Sequence, residues 1–284
     1  MSERYAVQSG DWSNINTWNG GSLPGVGDDV HANGFDVVID QDVEVQSLTT
    51  RPGDTAVDGG KFTPNNNTEI TANIVAGGTT CLDIGTKTGI IVTGNVTGGT
   101  DFGKVGISSL AGSSITINGN CVGGSGFAAN GVNLQGTVVI NGNVQGSDDP
   151  DNSGCNGANL YNDVVAVING NAIGGNGAFQ SYGLTSSGIQ AVITLNGDVI
   201  PSSVNPAVNF GGTIIHNGDI QPASNGTFPI LTSAPAGKWL VDPSASMTYA
   251  FRKNDGGSPG DVRNFESDGG GNSIQIGPFI GPFI

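Results

Sequence analysis

The segment Ile115-Thr116-Ile117-Asn118-Gly119-Asn120-Cys121 occurs, with small changes, six times in the middle of this chain. The central glycines of the six copies are Gly94, Gly119, Gly142, Gly170, Gly197 and Gly218. A degenerate earlier copy spans residues 68–74. The spacings between the six glycines are 25, 23, 28, 27 and 21 residues. A period of about 20–30 residues is typical of a solenoid, in which each turn packs only against its neighbours.

Within each copy, apolar residues alternate with polar ones. The positions four and two residues before the glycine and two after it are nearly all apolar, whereas the positions directly before and after it hold Thr, Asn or Asp. A period of two predicts a β-strand with one buried face. The sequence therefore predicts an all-β fold, a right-handed parallel β-helix. Its two internal columns are Val92, Ile117, Ile140, Ile168, Leu195 and His216, and Val96, Cys121, Val144, Ala172, Val199 and Ile220.

Two further patterns extend this prediction. The position after each glycine reads Asn95, Asn120, Asn143, Asn171, Asp198 and Asp219, which predicts a polar ladder along the outside of the stack. A second apolar pair lies about ten residues before most motifs and predicts a second strand in each coil. These pairs are Leu82 and Ile84, Val132 and Leu134, Ala158 and Leu160, and Val208 and Phe210.

Composition changes on both sides of the repeats and predicts three regions. Residues 1–60 are expected to form an N-terminal cap or docking module that leads into the first coils, with the alternating residues 37–45 starting the helix. Residues 61–232 are expected to form the β-helix of coils of about 21–28 residues. Residues 233–284 are expected to form a C-terminal β module that ends in a tandem, apolar Gly-Pro-Phe-Ile sequence. Caps are expected because a stack exposes its terminal strands as unpaired edges.

The charge of the chain limits the partners that we expect. Nine Lys and Arg residues against 24 Asp and Glu give a formal net charge of −15, which repels nucleic acid and anionic membrane surfaces. No apolar stretch approaches the ~20 residues of a membrane span, and the first residues lack the apolar core of a signal peptide. We therefore expect a soluble protein that is not exported, with no membrane insertion and no nucleic-acid partner.

The N-terminal region carries a recognisable motif. It reads Gly10-Asp11-Trp12-Ser13, Thr17-Trp18-Asn19-Gly20-Gly21, Pro24 and Gly27-Asp28-Asp29-Val30, followed by Val37-Val38-Ile39-Asp40. This motif resembles the amino-terminal module of β-helical virion proteins of tailed bacteriophages, and similar modules occur on bacterial surface proteins. Residues 259–263 are similar to a motif near the ends of some of the same phage proteins. The resemblance implies a component of the capsid or tail, commonly a homotrimer, which is assembled in the host cytoplasm.

Parallel β-helices also include polysaccharide lyases and hydrolases, so we considered catalytic residues. No arginine lies between Arg51 and Arg252 to act as a lyase base. Asp198 and Asp219 are the best candidate carboxylate pair for a glycosidase, because they occupy one column on adjacent coils. Continuation of the asparagine ladder at the solvated edge is the favoured explanation of both residues. We predict no catalytic residues and no enzyme.

Candidate metal and cofactor sites are also weak. Asp148, Asp149 and Asp151 lack the ligand spacing of a calcium loop, and the glycine-rich residues 123–126 and 174–177 lack the aspartate of repeat-toxin sites. His31 has no second ligand near it in sequence, and His216 is expected to be a hydrogen-bonded inward residue. The three cysteines, Cys81, Cys121 and Cys155, are expected to be buried free thiols. We predict no metal and no cofactor.

The sequence thus predicts a non-enzymatic structural component of a tailed-phage particle, either a tail fibre or appendage or a capsid decoration. Its partners are expected to be further copies of itself in a homotrimer and other virion proteins. The alternative is an adhesin that binds host-surface glycans through Tyr161, Tyr182 or Phe179 in the loops between coils. A polysaccharide depolymerase is a third, less favoured hypothesis.

Overall fold

The computed structural model describes residues 2–50, 59–151, 153–188, 190–218, 220–221, 230–232, 238–241, 265–267 and 273–275. Short β-strands dominate it, with two 3-10 helices at Ile15–Thr17 and Asn19–Gly21. Within the described residues, no helix has the length and apolar character needed to cross a membrane. In chain order the strands are β1 (Glu3–Tyr5), β2 (Gly10–Asp11), β3 (Asp29–His31), β4 (Asp36–Ile39), β5 (Val43–Thr49), β6 (Lys61–Pro64), β7 (Glu69–Val75), β8 (Leu82–Gly85), β9 (Ile90–Thr93), β10 (Val96–Thr97), β11 (Ile107–Ser109), β12 (Ser114–Asn118), β13 (Cys121–Val122), β14 (Val132–Leu134), β15 (Thr137–Ile140), β16 (Val144–Gln145), β17 (Ala158–Leu160), β18 (Val165–Ile168), β19 (Ala172–Ile173), β20 (Leu184–Ser186), β21 (Val192–Leu195), β22 (Val199–Ile200), β23 (Val208–Phe210), β24 (Thr213–His216), β25 (Ile230–Thr232), β26 (Lys238–Val241), β27 (Phe265–Ser267) and β28 (Ser273–Gln275).

These strands form two sheets that run along the stack. The first sheet has 18 strands, and the second has ten, in the order β2-β4-β6-β8-β11-β14-β17-β20-β23-β25. The strand pairs are parallel through both sheets up to β26, and among the described strands the pairs β26–β27 and β27–β28 are antiparallel. The predicted parallel β-helix is therefore confirmed. Ten strands at the usual ~4.8 Å spacing give a rod about 43 Å long.

The predicted internal columns are confirmed by the strand register. Val96 pairs with Cys121, Cys121 with Val144, and Val144 with Ala172, and the row continues to Val199. The other column runs in register from Val92 through Ile117, Ile140, Ile168 and Leu195 to His216. All of these side chains are buried. Cys121 therefore occupies the position of a valine in the core.

The first five repeat coils each contain two strands of the first sheet and one of the second, and in the sixth an isolated bridge from Ile220 to Val199 takes the place of the second strand. In one coil, β12 and β13 are separated by the bend at Gly119 and Asn120, and β14 follows in the second sheet. The predicted apolar pairs form β8, β14, β17 and β23 of that sheet. Two strands of the same sheet, β11 and β20, were not predicted, because Ser109 and Ser186 replace the second apolar residue of the pair.

The glycine at the bend is required by the close approach of successive coils. A Cβ atom on Gly119 would lie 2.1 Å from the carbonyl oxygen of Gly94, and one on Gly142 would lie 2.2 Å from that of Gly119. Gly170, Gly197 and Gly218 meet the preceding coil in the same way. Because a real Cβ atom cannot approach a backbone oxygen so closely, every coil keeps a glycine at this corner. The repeat thus accounts for part of the high glycine content.

The parallel stack extends further towards the N-terminus than residues 37–45 suggested. Strand β1 pairs with β3, and β3 with β5, while β2 pairs with β4 in the second sheet. Residues 37–45 divide between β4 and β5, which lie in different sheets. Trp12 and Trp18 cover the core at this end, with ring centroids 4.7 Å apart and an edge-to-face angle of 68°. The ring of Trp12 also packs against that of Phe62, with centroids 6.4 Å apart.

At the other end, the stack continues through β26, which pairs in parallel with β24. Strands β27 and β28 then add antiparallel pairs to the same sheet. Most of the predicted C-terminal module, including the apolar residues 276–284 and the tail motif at 259–263, lies outside the described residues.

Candidate functional site: the outer surface of the coils

A ladder of side-chain amides runs along the first sheet, at the position directly before each glycine. The Nδ2 atom of each asparagine donates to the Oδ1 atom of the asparagine one coil before it. The distances are 2.8 Å for Asn141 to Asn118, 2.7 Å for Asn169 to Asn141, 2.7 Å for Asn196 to Asn169 and 2.8 Å for Asn217 to Asn196. Each internal asparagine uses one amide proton and one carbonyl lone pair in this ladder. A primary amide has two donors and two lone pairs. Each of these exposed amides therefore keeps hydrogen-bonding capacity for a partner.

The predicted ladder at the position after each glycine also forms, but with a different geometry. The Oδ1 atom of each asparagine accepts from the backbone N–H of its neighbour in the next coil. The distances are 3.0 Å from Asn120 N to Asn95, 2.8 Å from Asn143 N to Asn120, 2.8 Å from Asn171 N to Asn143 and 2.8 Å from Asp198 N to Asn171. These side chains therefore satisfy backbone donors at the bend, where the sheet ladder is interrupted.

The outward positions of β9, β12, β15, β18, β21 and β24 in the first sheet form a surface without charge. Three columns make up this surface, which we call the neutral face: the positions five, three and one residues before each glycine. Its members are Gly89, Ile91, Thr93, Ser114, Thr116, Asn118, Thr137, Val139, Asn141, Val165, Val167, Asn169, Val192, Thr194, Asn196, Thr213, Ile215 and Asn217. None of the 18 is ionisable, although the chain has a net charge of −15.

Charged residues mark both ends of the neutral face. Glu69 pairs in register with Ile91, and Glu44 pairs with Thr71, which itself pairs with Thr93. Both glutamates are exposed. At the other end, Lys238 follows Thr213 in the register. The absence of charge is thus confined to the six repeat coils.

The loops between the two sheets carry exposed aromatic rings. Phe102 and Phe127 occupy equivalent positions in adjacent coils, and their rings stack with centroids 5.4 Å apart and an interplanar angle of 5°. They are 72% and 52% exposed. Phe179 is also exposed, and Ser153 bridges to it from the coil between it and Phe127. Exposed aromatic rings of this kind are common at binding surfaces.

A small groove lies beside the same loops. It has a volume of about 270 Å³. The residues that line it are Val75, Ala76, Thr97, Gly98, Thr100, Gly123, Gly124, Ser125 and Ser147. Thr100 and Ser125 each lie two residues before a phenylalanine of the stacked pair. The groove and the rings therefore belong to the same loop segments.

The three predicted glycan-contacting residues differ in their exposure to solvent. Tyr182 is buried, and Tyr161 is half-buried with its hydroxyl accepting from Asn159 Nδ2 at 2.6 Å. Burial raises the pKa of both phenols. Only Phe179 of the three is widely exposed. The sequence did not indicate Phe102 and Phe127, because phenylalanine in a repeat protein is usually a core residue.

The described candidate carboxylates lie among local hydrogen bonds. Asp198 donates its backbone N–H to the ladder, and its proposed partner Asp219 lies outside the described residues. Asp148 accepts from Gln145 Nε2 and from the backbone and side chain of Asn176, each at 3.0 Å. Within the described residues, no group of three or more His, Cys, Asp or Glu side chains is arranged to hold a metal ion.

The histidine and cysteine predictions can be compared directly. His216 is buried in the inward column, and its Nε2 atom lies 2.9 Å from the Gly197 carbonyl oxygen. Cys81, Cys121 and Cys155 are all free and buried, as predicted. Burial raises the pKa of the Cys121 thiol to about 12 and also raises that of Cys81, so neither is a thiolate at neutral pH.

The residues of the N-terminal motif hold the first coils together. The Nε1 atom of Trp18 donates to the Trp12 carbonyl oxygen at 2.9 Å. The Nε atom of Arg4 forms an ion pair with Oδ2 of Asp28 at 3.5 Å. The hydrogen bond from Ser2 is the main cause that lowers the pKa of Asp28. Partial burial opposes ionisation of Asp40, but hydrogen bonds from the Ser13 hydroxyl and backbone N–H lower its pKa overall.

Comparison with known proteins adds no relative. No family model matches this chain, and neither do any curated protein or any solved structure.

Proposed function

We propose that this protein is a non-catalytic structural component of a tailed-bacteriophage particle, assembled as a homotrimer. One observation carries the proposal: the continuous parallel stack is closed by Trp12 and Trp18, which belong to the motif that resembles phage virion proteins. The motif is thus part of the rod itself. In this function the rod forms a tail fibre, a tail appendage or a capsid decoration.

The outer surface at the Asn-Gly corner supports a structural role. Both asparagine columns are engaged in hydrogen bonds between neighbouring coils. Side chains at these positions therefore stabilise the rod. A repeated contact of this kind lets each coil stack on the next, which suits a protein whose task is to hold a fixed distance on a particle.

Location on the particle tests this proposal. Antibodies against the full chain, coupled to gold, would be applied to purified phage particles from the source sample and imaged by electron microscopy. We expect gold at one fixed place on the particles. Gold at the tail would identify a fibre or appendage, and gold over the head a decoration. Particles without gold, in a sample where the protein is detected only in the host fraction, would contradict the proposal.

The assembly state is tested separately. Light scattering coupled to size exclusion should give three times the chain mass of 28.5 kDa, which is about 86 kDa. A species of 28.5 kDa at every concentration would contradict the homotrimer but not the location on the particle.

A second candidate function is binding of host-surface glycans, and the stacked Phe102 and Phe127 rings favour it. Aromatic faces pack against the C–H face of sugar rings, and the groove beside them offers the hydroxyl groups of Thr100 and Ser125 for hydrogen bonds. A glycan array with the wild type and with Phe102→Ala/Phe127→Ala tests this function. Binding that the double variant loses would support it, and an empty array would favour the purely structural role. Reducing ends released from host polysaccharide would instead indicate a depolymerase.

A further inference from the structure

We infer that the neutral face is the surface through which copies of this chain contact each other. The inference rests on the proposed assembly and names the surface that forms it. Val165 and Val192, which are 54% and 39% exposed, are the apolar residues of the face that extend furthest into solvent. They lie on adjacent coils in one column, because Val165 pairs with Val192 in the register.

Charge is the first reason for choosing a second copy as the partner. Two chains of net charge −15 repel each other. That repulsion is weakest where two copies meet through a surface that carries no carboxylate. The neutral face meets this condition over six successive coils, and Glu44 and Glu69 lie beyond it. A strongly basic partner would gain nothing from such a surface.

The regular spacing of the asparagine amides along the rod is the second reason for choosing a second copy as the partner. The amides of Asn118, Asn141, Asn169, Asn196 and Asn217 repeat once per coil, and each internal one keeps an unused donor and acceptor. A partner can hydrogen-bond to all of them only if its own polar groups repeat at the same ~4.8 Å spacing. A second copy of the same β-helix has this period by construction, and its columns of valine and threonine repeat in the same way.

The size of the face is sufficient for a specific contact. Six strands span ~24 Å along the rod, and three outward columns span ~13 Å across it. With side-chain widths included, the face covers about 500 Å² per copy. In a homotrimer each copy divides its face between two neighbours, so the three faces together bury about 1,500 Å² around the threefold axis. We therefore expect association that is concentration-dependent.

Variants with opposite charges test the inference on the full chain. Val165→Glu/Val192→Glu and Val165→Lys/Val192→Lys each place two like charges on the face. Because burying unpaired charges disfavours association, each variant alone should weaken self-association at least about tenfold in sedimentation velocity. A trimer that contains both variants has opposite charges at two of its three contacts, so the mixture should associate more strongly than either variant alone. The matched control is Leu110→Glu/Val204→Glu, which adds the same charge at residues 54% and 48% exposed outside the face, and it should associate like the wild type.

The outcomes distinguish failure of the neutral face as the contact surface from failure of the proposed homotrimer. If the wild type associates and the glutamate face variant associates equally well, the copies meet elsewhere and the inference is wrong. The same conclusion follows if the mixture of oppositely charged variants stays dissociated. If the wild type is monomeric throughout, the proposed homotrimer fails together with the inference. Circular dichroism and the melting temperature of each variant establish that it is folded.

The salt dependence of self-association tests the inference independently on the wild type. Added salt screens the repulsion between two negatively charged copies but affects a neutral contact little. Association through the neutral face should therefore strengthen as salt is raised. Weakening with salt would indicate an interface built on ion pairs and would overturn the inference.

Discussion

The repeat coils and the N-terminal coils belong to one parallel stack, yet different contacts hold their outer surfaces together. In the repeat coils, an asparagine meets an identical asparagine one coil away, as in Asn141 and Asn169. In the N-terminal coils, unlike residues meet: Ser13 N donates to Asp40 at 2.9 Å, and Ser47 Oγ donates to Asp29 at 2.7 Å.

This difference separates two tasks in a solenoid. Contacts between identical residues stabilise stacking equally well for any two coils, so they do not specify which coil follows which. Contacts between unlike residues form only between two particular coils and therefore fix the register at which the stack begins. The first kind suits a rod, and the second suits its end.

The largest expected effect comes from removing the aromatic cover of the N-terminal coils. Trp12→Ala deletes a buried indole that contacts Trp18 and Phe62. Loss of a buried Trp typically lowers the free energy of unfolding by about 3–5 kcal/mol. Because coils interact mainly with their neighbours, hydrogen exchange should accelerate most in β1 to β4 and least in β12 to β22.

The control for this prediction is Ile15→Ala, which truncates an exposed apolar residue in the same segment. It should change the unfolding free energy by no more than ~0.5 kcal/mol. Equal acceleration of exchange along the whole rod after Trp12→Ala would show that the N-terminal coils are not a distinct region.

A change inside the repeat coils should act locally in the middle of the rod. In Gly142→Ala, the new Cβ would lie 2.2 Å from the Gly119 carbonyl oxygen, so the two coils must separate. Overpacking of this kind costs about 1–3 kcal/mol. Urea unfolding should show this loss, and exchange should rise in β12 and β15, which pair between the two coils.

Gly25→Ala is the matched glycine control, because no atom lies within 4 Å of the added Cβ. If both alanine variants lose the same stability, close approach between coils is not the reason for the repeated glycine.

Much of the repeat region could be predicted from sequence, because one physical rule applies to every coil. An inward side chain must be apolar and the corner must lack a Cβ, so the repeat alone is enough to align Val96, Cys121 and Val144 in one column. The rule failed at Ser109 and Ser186, where a small hydroxyl residue takes an inward position in the second sheet.

The N-terminal coils were harder to predict, because they lack the repeated Asn-Gly corner. Their strands are joined by specific pairs such as Arg4 and Asp28, and no period in the sequence relates two unlike residues. The neutral face depends on the strand register, which places its three columns side by side. Its sequence signal is the absence of charge at alternate positions before each glycine, and a missing residue type attracts less notice than a repeated one.

A smaller effect is expected from breaking the amide ladder. Asn141→Ala removes the hydrogen bonds to Asn118 and from Asn169. These amides are exposed and can bond to water instead, so we expect a loss of about 1 kcal/mol in unfolding free energy. Within the described residues, Asn217 makes one ladder bond, to Asn196, so Asn217→Ala should cost about half as much in the same urea titration. A larger loss for Asn217→Ala would contradict the ladder as the cause.

The smallest effect concerns the acid sensitivity of the N-terminal coils. Partial burial acts to raise the pKa of Asp40, but the hydrogen bonds from Ser13 outweigh it, so the pKa in the folded protein lies below the value near 3.8 of the unfolded chain. The ionised carboxylate thus stabilises the fold above pH 3.8, and this contribution disappears as the pH falls through the folded pKa.

Asp40→Asn should therefore lose less stability than the wild type between neutral and acidic pH, with a difference below about 1 kcal/mol for this partly exposed site. Urea titrations at both pH values measure it, and Ser13→Ala, which keeps the backbone donor, should fall between the two. Equal acid sensitivity of all three proteins would mean that the Ser13–Asp40 contact does not help to fix the first coils. The contrast between the two regions would then rest on the Ser47–Asp29 and Arg4–Asp28 contacts and on the tryptophans.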